Sequence, residues 1–533
     1  MLKILKASAG SGKTFTLAGE YIRLLFAGEP DCDPHAYRHI LAVTFTNKAT
    51  DEMKSRILKE LHIMATSPEK SSYIAEILEM RKVLSPADVA KMARRFLCNI
   101  LNDYGAFSVS TIDSFFQRAL KAFSREIGQF SSYQVELDKA SLVKESVDRV
   151  LDSLTEKDKN LLKWLSDSVM EQLNSDGRFS IENQLYEMAA ALHDEGHRTL
   201  AESLDLDDRK IYSRENLVRL REGCRKVIDG FAGKVSGAAA AVLEALDKAG
   251  VQPEEFNRKF LSRIRDYAEV NGNKAIPAPT EAFLRNSANP DLWFAKSKAG
   301  LRASVEGILE EPLGHFCSLF SDDYKTYKTA LALLGQIYSL GLAGELEDSF
   351  NELVKEKNVM SIDDSNTILR GIIDGSDAPF IYEKLGVRYD HFLLDEFQDT
   401  SGIQWENFRP LLAESLAGGN ANLIVGDVKQ SIYRWRNSDW NLLNSKLYEE
   451  FPGEYEKDVL DANWRSVDNV VDFNNGFYEY AAKALDSVSG NRGISEIYSD
   501  VRQEKRSRDA SKGNVDVMFC EDADQIEAVV AEV

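Results

Sequence analysis

The chain has 533 residues, 44% of them hydrophobic and 28% charged, which is too long for one hydrophobic core and sets an expectation of about three or four structural units. No uncharged apolar run reaches the ~18 residues of a membrane helix, no signal-peptide core precedes the first glycine loop, and five scattered cysteines without a CxxC pair give neither a disulfide framework nor a structural zinc site, so a cytoplasmic globular protein with reduced thiols is expected. Lys+Arg 65 against Asp+Glu 86 leaves a net charge of −21; taken alone this favours a metabolic enzyme, although an acidic exterior is compatible with a narrow basic and aromatic track for a polyanion.

The opening segment reads strand, loop, helix. Leu2 to Lys6 alternate, Ala7 to Thr14 form a small-residue loop, and Phe15 to Phe26 carry helically spaced apolar groups ending at Gly28. Further short buried-strand patterns lie at Ile40 to Phe45, Phe107 to Ile112, Phe392 to Leu394 and Asn422 to Val425, each followed by polar residues and a helical pattern. Such alternation predicts an α/β fold with a parallel sheet whose chemistry lies at the carboxyl ends of its strands. Between roughly Lys121 and Asn358 the texture changes to long amphipathic stretches, Ala140 to Leu154, Val235 to Lys248 and Tyr324 to Leu340, which predict a helical insertion. Asn271 to Thr280, with two prolines, reads as a loop inside it, and no internal repeat is evident. A further compact region begins after about Phe451. Its last residues, Ala523 to Val533, read as a helix without a capping signal, so the sequence is expected to stop inside a domain.

The strongest local signal is Ala7-Ser8-Ala9-Gly10-Ser11-Gly12-Lys13-Thr14, which fits GxxxxGK[ST] with alanine at the first glycine position. Ala9 to Thr14 are therefore candidate nucleotide-binding residues: Gly10 and Gly12 let backbone N–H groups wrap phosphates, Lys13 reaches the β and γ phosphates, and Thr14 offers a hydroxyl to Mg²⁺. The competing reading is a plain strand-to-helix turn of small residues. A phosphate cradle also needs a second Mg²⁺ contact and a group that activates water, usually at the end of a neighbouring buried strand. Asp395 and Glu396 follow His391-Phe392-Leu393-Leu394 and fit those roles, the first as metal ligand and the second as base, although an acidic pair after a strand is commonplace. The seven histidines form no HExxH pattern, which removes the usual zinc-hydrolase reading. Asp363-Asp364 are read as structural.

Asp395-Glu396-Phe397-Gln398-Asp399-Thr400 is similar to the DEFQDT signature of UvrD/Rep/RecB-type superfamily 1 DNA helicases, and other blocks match that family in order. Leu41-Ala42-Val43-Thr44-Phe45-Thr46-Asn47-Lys48-Ala49-Thr50 resembles motif Ia, and Ser110-Thr111-Ile112-Asp113-Ser114-Phe115 resembles the TxxSF block. Gly426-Asp427-Val428-Lys429-Gln430-Ser431-Ile432-Tyr433-Arg434-Trp435-Arg436 resembles motif III, and Asn463-Trp464-Arg465-Ser466 resembles motif IV. The blocks run from Ala7 to Ser466. KASAGSGKTFTL and GDVKQSIYRWR lean toward the RecB/AddA branch, the helicase subunits of ATP-dependent exodeoxyribonucleases, and the missing upstream glutamine motif fits that side while leaving the adenine contacts open. No motif V or VI is recognisable.

The resemblance implies a RecA-like P-loop NTPase lobe from residues 1–120 and 350–445, a helical insertion over 121–349, and the beginning of a second RecA-like lobe over 446–533. It implies that Gln430 contacts the γ phosphate, that Arg465 neutralises the transferring phosphoryl group, and that Trp464 stacks on adenine, with core packing as the alternative for Trp464. It also implies that Phe45 and Trp435 stack on bases while Thr44, Thr111 and Arg436 contact the DNA backbone; without the motifs, Phe45, Tyr433 and Trp435 read as packing residues. The implied function is an ATP- and Mg²⁺-dependent helicase motor moving 3′ to 5′ on single-stranded DNA, within a helicase–nuclease complex that handles DNA ends in double-strand break repair and recombination and includes a second polypeptide as partner. Three alternatives stay open: a noncatalytic helicase-like scaffold or DNA-binding component of such a complex, a repair helicase without nuclease, and a metabolic P-loop enzyme.

Overall fold

The computed structural model describes residues 1–28, 32–123, 134–136, 138–155, 159–174, 181–194, 196–197, 200–201, 204, 208–272, 274–373, 378–490, 492–506 and 513–519. The predicted helix at Ala523 to Val533 lies outside the described residues, as does Cys520. The four described cysteines are free thiols.

The chain gathers into two compact units, one from Met1–Val135 with Met360–Val533 and one from Glu136–Val359. The first is built on a six-stranded sheet. Its strands are β1 (Leu2–Ala7), β2 (Ile40–Thr44), β3 (Val109–Thr111), β4 (His391–Leu394), β5 (Asn422–Gly426) and β6 (Tyr455–Leu460). Their spatial order is β3-β2-β4-β5-β1-β6 and every pairing is parallel. Because a parallel sheet is covered on both faces, its central strands must be apolar on both sides; ILAVT of β2 and NLIVG of β5 are buried at every position.

Alternate side chains serve two separate cores. Leu2, Ile4, Leu41 and Val43 pack on one face with the helices α3 (Ile112–Ala122), α4 (Ile362–Ile373) and α5 (Gly402–Ala417). Leu5, Ala7, Ile40 and Ala42 pack on the other with α1 (Lys13–Leu25) and α2 (Asn47–Thr66). Asp363 and Asp364 fall in the first turn of α4, and their side chains lie outside the described residues.

Three boundaries differ from the sequence expectation. Phe123 is fully buried in the sheet's core beside Phe115, Phe116 and Leu120, so the helical unit starts later than residue 121. Phe350 and Leu353 pack into the core of the helical unit with Leu342 and Leu346, so that unit runs on to Val359. Tyr455–Leu460, expected in a second lobe, instead forms the sixth strand against β1. Its exposed Glu456, Lys457 and Asp458 carry no apolar alternation and blunt a sheet edge with charge.

The second unit is helical. The 36-residue helix Arg214–Ala249 is its longest element and packs against Arg302–Ser318 and Asp322–Leu340 through a core containing Phe231, Trp293, Phe316 and Tyr327. Trp293 is fully buried, and its indole N–H donates to the Asn286 carbonyl at 3.0 Å. Trp293→Ala is expected to destabilise this unit by about 3–5 kcal/mol, read by denaturant unfolding followed by circular dichroism; a change under ~1 kcal/mol would contradict the core assignment.

Candidate functional site

All six strands of the sheet end along one edge, at Thr111, Thr44, Leu394, Gly426, Ala7 and Leu460 in spatial order, where a parallel sheet concentrates its loops. At β1 the chain turns through Gly10 (φ +80°) and Gly12 (φ +90°) into α1. That left-handed backbone suits glycine, and no side chain caps α1, so its first N–H groups and the positive end of its dipole serve the loop. The observed helix begins at Lys13, ahead of the predicted start at Phe15. Ser11 is buried and its N–H donates to the Ser8 carbonyl at 3.2 Å; it shapes the loop rather than lining the cleft.

The cleft over this loop has a volume of ≈ 370 Å³. Ala9, Gly10, Gly12, Lys13, Thr14 and Phe15 form its floor, Glu396 and Gln430 one wall, Trp464 and Arg465 another, and Glu52 and Arg56 of α2 complete the rim. The groups predicted from positions 13, 396, 430 and 465 therefore meet around one space. Lys13 Nζ donates to Glu396 Oε1 at 2.7 Å and Oε2 at 2.8 Å, and to Gln430 Oε1 at 3.3 Å. Gln430 Nε2 donates to Asp427 Oδ2 at 2.7 Å, the Asp427 N–H donates to Gln398 Oε1 at 2.9 Å, and Gln398 Nε2 donates to Glu396 Oε2 at 2.8 Å. These bonds close a ring through Lys13, Gln430, Asp427, Gln398 and Glu396. Glu396 holds its place in it with φ 49° and ψ 42°, a left-handed conformation that costs a non-glycine residue about 1–3 kcal/mol and is typical of functional sites.

Asp395 is placed differently from Glu396. It lines a small adjoining space of ≈ 10 Å³, room for about one water, with Thr44 and Phe45, and Glu396 borders both spaces. Burial, then the neighbouring Glu396 charge, push the Asp395 carboxyl up to about 7. Among the described residues no three His, Cys, Asp or Glu side chains gather as a self-sufficient metal site. Thr14 on the cleft and Asp395 on the adjoining space carry hard oxygen donors of the kind that would hold Mg²⁺ together with phosphate and water, and a cation would relieve the negative charge crowded on Asp395 and Glu396.

Arg465 and Trp464 reach the cleft by a route set by strand register. Ala7 pairs with Leu460, so the chain leaving β6 emerges beside the glycine loop, where the Trp464 N–H donates to the Gly10 carbonyl at 2.9 Å. Asn463 Oδ1 accepts from the N–H groups of Arg465 at 3.0 Å and Ser466 at 2.8 Å, an Asx turn that fixes Arg465. Gln503 Nε2 donates to the Ala9 carbonyl at 3.0 Å, and its Oε1 accepts from Asn463 Nδ2 at 2.8 Å. Trp464 is 60% exposed with its ring near Gly12, which sets aside the core-packing reading. Phe15, Gln398, Asp427, Asn463 and Gln503 were not singled out from sequence for this cleft. Phe15 carried a usable signal, an apolar residue at an exposed helix start.

The strip predicted to meet DNA divides. Phe45 and Tyr433 have ring centroids 4.7 Å apart, Tyr433 and Trp435 6.0 Å, and the Arg436 guanidinium lies 4.7 Å from the centre of the Trp435 ring. Trp435 is 71% exposed. Tyr433, to which the motif resemblance gives no DNA role, bridges the two rings that have one. Thr44 and Thr111 are buried: the Thr44 hydroxyl bonds to that of Thr50 at 2.6 Å and to the Thr46 carbonyl, and Thr111 caps α3 by accepting from the Ser114 N–H at 3.2 Å. Their hydroxyls hold the loops that follow β2 and β3 and do not join the exposed strip.

Two outcomes follow from this geometry. A Cβ on Gly10 would sit 3.0 Å from Arg465 Cβ and from Asn463 Oδ1 in a left-handed backbone that costs about 1–2 kcal/mol, so Gly10→Ala is expected to lower the melting temperature and weaken binding of a nonhydrolysable ATP analogue; no change in either would contradict the docking of Asn463–Arg465 on the loop. Burial, then the Glu396 charge, push the Asp399 carboxyl up to about 6 from 3.8. The folded state therefore holds a proton that the unfolded chain has released between those values, a contribution present below 3.8 and lost as pH rises through 6. Asp399→Asn should accordingly gain stability relative to the parent as pH is raised from about 4 to about 7, in melting curves taken across that range; a parallel offset would contradict it.

Residues 3–452 match the UvrD/REP helicase N-terminal domain family. The RecBCD enzyme subunit RecB of Escherichia coli K12 is 24% identical over 500 residues, covering 91% of this chain and 38% of that protein. The A subunit of the ATP-dependent helicase/nuclease of Leuconostoc mesenteroides is 24% identical, covering 89% of this chain and 38% of that protein, and its Lactococcus lactis counterpart is 25% identical, covering 90% and 39%. The chain thus spans a little over a third of the length of these relatives. Given the extent of the match, the chain belongs to the UvrD/REP helicase family.

Proposed function

We propose that this chain is the ATP-driven motor of a DNA helicase, moving 3′ to 5′ along single-stranded DNA in the cytoplasm and serving a RecB/AddA-like helicase–nuclease in double-strand break repair. In this reading the sheet unit is a RecA-like lobe, and the chain from Asn463 onward opens a second one. The observation that carries the reading is the meeting of Lys13, Glu396, Gln430 and Arg465 at one cleft over a glycine loop and a helix N-terminus.

The chemistry follows from the bonds. The Lys13 ammonium has three N–H donors, and Glu396 and Gln430 account for its contacts. Transfer of Lys13 to the β and γ phosphates frees the Glu396 carboxylate to accept a proton from the attacking water, while Gln430 takes a γ-phosphate oxygen or its water. Arg465 supplies a planar guanidinium to charge accumulating on the transferred group. Trp464 and Phe15, which border the cleft, offer rings to the base. Mg²⁺ held by Thr14 and Asp395 would neutralise phosphate charge.

Phe45, Tyr433, Trp435 and Arg436 form the strand track, each ring contributing about 1–3 kcal/mol per stacked base. Gln430 lies three residues from Tyr433, so one short segment touches both the phosphate cleft and the track. A noncatalytic scaffold would have no need of this ring of bonds, and a small-molecule enzyme no need of the exposed aromatic strip.

ATP turnover of the full-length protein, measured with and without single-stranded DNA, tests the reading: DNA-stimulated hydrolysis is expected, no turnover would favour the scaffold, and DNA-independent turnover the metabolic enzyme. Glu396→Gln is expected to cut kcat by at least ~10²-fold with little loss of nucleotide affinity. Trp435→Ala should weaken DNA binding by about 1–3 kcal/mol while leaving DNA-free nucleotide binding intact.

A further inference from the structure

Asp427 does more than close the ring around Lys13. Its Oδ2 accepts from Gln430 Nε2 at 2.7 Å, and its Oδ1 accepts from the Lys429 N–H at 3.1 Å and lies 2.9 Å from Lys429 Nζ. Lys429 Nζ also donates to Asp500 Oδ1 at 2.7 Å. The ammonium is held between two carboxylates with its side chain only 11% exposed. A charge so far removed from water is kept by its partners, and loss of either leaves the other costly. The second oxygen of Asp500 faces Lys6 of β1 at 3.9 Å, a longer contact from a different strand.

Asp500 lies in the segment that braces the arginine loop. Three residues on, Gln503 bonds both Asn463 and the Ala9 carbonyl. Glu504 and Lys505 then pair in parallel with Ala462 and Asn463, and the Arg506 N–H donates to the Asn463 carbonyl at 3.1 Å. Asn463 in turn fixes Arg465. A path therefore runs by side-chain contacts from Gln430 through Asp427 and Lys429 to Asp500, along three residues of backbone to Gln503, and by contacts again through Asn463 to Arg465.

We propose that Lys429 and Asp500 are a positioning pair that couples the γ-phosphate-facing Gln430 to the placement of Arg465. The inference rests on the reading of the cleft as an ATPase site and adds two residues that do not touch the substrate themselves. When Gln430 turns toward phosphate its bond to Asp427 loosens, and Asp427 then leans wholly on Lys429. Lys429 consequently shares its charge differently with Asp500, and the brace carrying Asn463 and Arg465 moves with it. When Gln430 returns, the order reverses. The pair acts on the rate of the chemical step rather than on capture of nucleotide, because neither residue lines the cleft.

Energetic coupling between two side chains is measured by a double-mutant cycle. In the full-length protein, single-stranded-DNA-stimulated ATP hydrolysis would be followed for the parent, Lys429→Met, Asp500→Asn and the double variant, with KM, kcat and melting temperature for each. Each single variant is expected to lower kcat roughly tenfold with KM for ATP within about twofold, and the double variant to be no slower than the slower single one. Lys429→Arg, which keeps the charge, is expected to restore more than half of kcat. Independent, multiplying losses in the double variant, or changes confined to KM or melting temperature, or unaltered kinetics, would overturn the pair as a coupling element. A parent protein without ATP turnover would instead overturn the ATPase reading on which the inference stands.

Discussion

The Lys13–Glu396 ion pair is the constraint around which the sheet unit is organised. It joins the first loop of the chain to a strand end nearly four hundred residues later, with nitrogen–oxygen distances of 2.7 and 2.8 Å. In a partly shielded cleft such a charged pair is stronger than on an open surface, and it fixes where Gln430, Gln398 and Asp427 can sit. Glu396 tolerates a left-handed backbone because Lys13 and Gln398 together define its carboxylate position. The same pair also sets a cost on phosphate: an incoming anion must offer Lys13 at least what Glu396 already gives, which ties occupation of the cleft to release of the carboxylate.

Sheet topology then determines what else can reach this point. With β5 between β1 and β4, the loop after β5 passes directly between the glycine loop and the acidic pair. That loop carries Gln430 into the cleft and, a few residues later, Tyr433, Trp435 and Arg436 to the exposed strip. On the other side of β1, the β6 register delivers Asn463 to Arg465. Two edges of one strand thus bring Gln430 and Arg465 to the same cleft, and the Lys429–Asp500 contact lies between the two segments that carry them.

Much of this was legible in the sequence, for physical reasons that differ by element. The glycine loop is read from local necessity, because few residues other than glycine tolerate the turns at positions 10 and 12. The central strands are read from unbroken apolar runs, and their limits are read less sharply, since fraying ends carry little pattern. Tyr455–Leu460 was missed as a strand of this sheet because an edge strand with one charged, solvated side shows no alternation. Val235 to Lys248 proved to be the second half of a helix beginning at Arg214, since the polar first half lacks the strong apolar stripe of the second. The bracing contacts of Asn463, Gln503 and Asp500 were invisible because their partners lie at 9, 463 and 429, and no local pattern encodes a contact across such separations. Thr44 and Thr111 were read through the resemblance as DNA contacts, whereas the Thr-x-x-Ser spacing at 111 and 114 carries a cap signal that explains the buried hydroxyl.

The central claim is that the groups from 13, 396, 430 and 465 serve one triphosphate. A crystal structure with a nonhydrolysable ATP analogue and Mg²⁺ tests it most directly. The γ phosphate is expected between Lys13 Nζ and the Arg465 guanidinium, with the Lys13–Glu396 contact opened beyond hydrogen-bonding distance and Gln430 turned toward phosphate. Nucleotide bound elsewhere, or bound here with Lys13 still on Glu396 at 2.7 Å and Arg465 turned away, would contradict it.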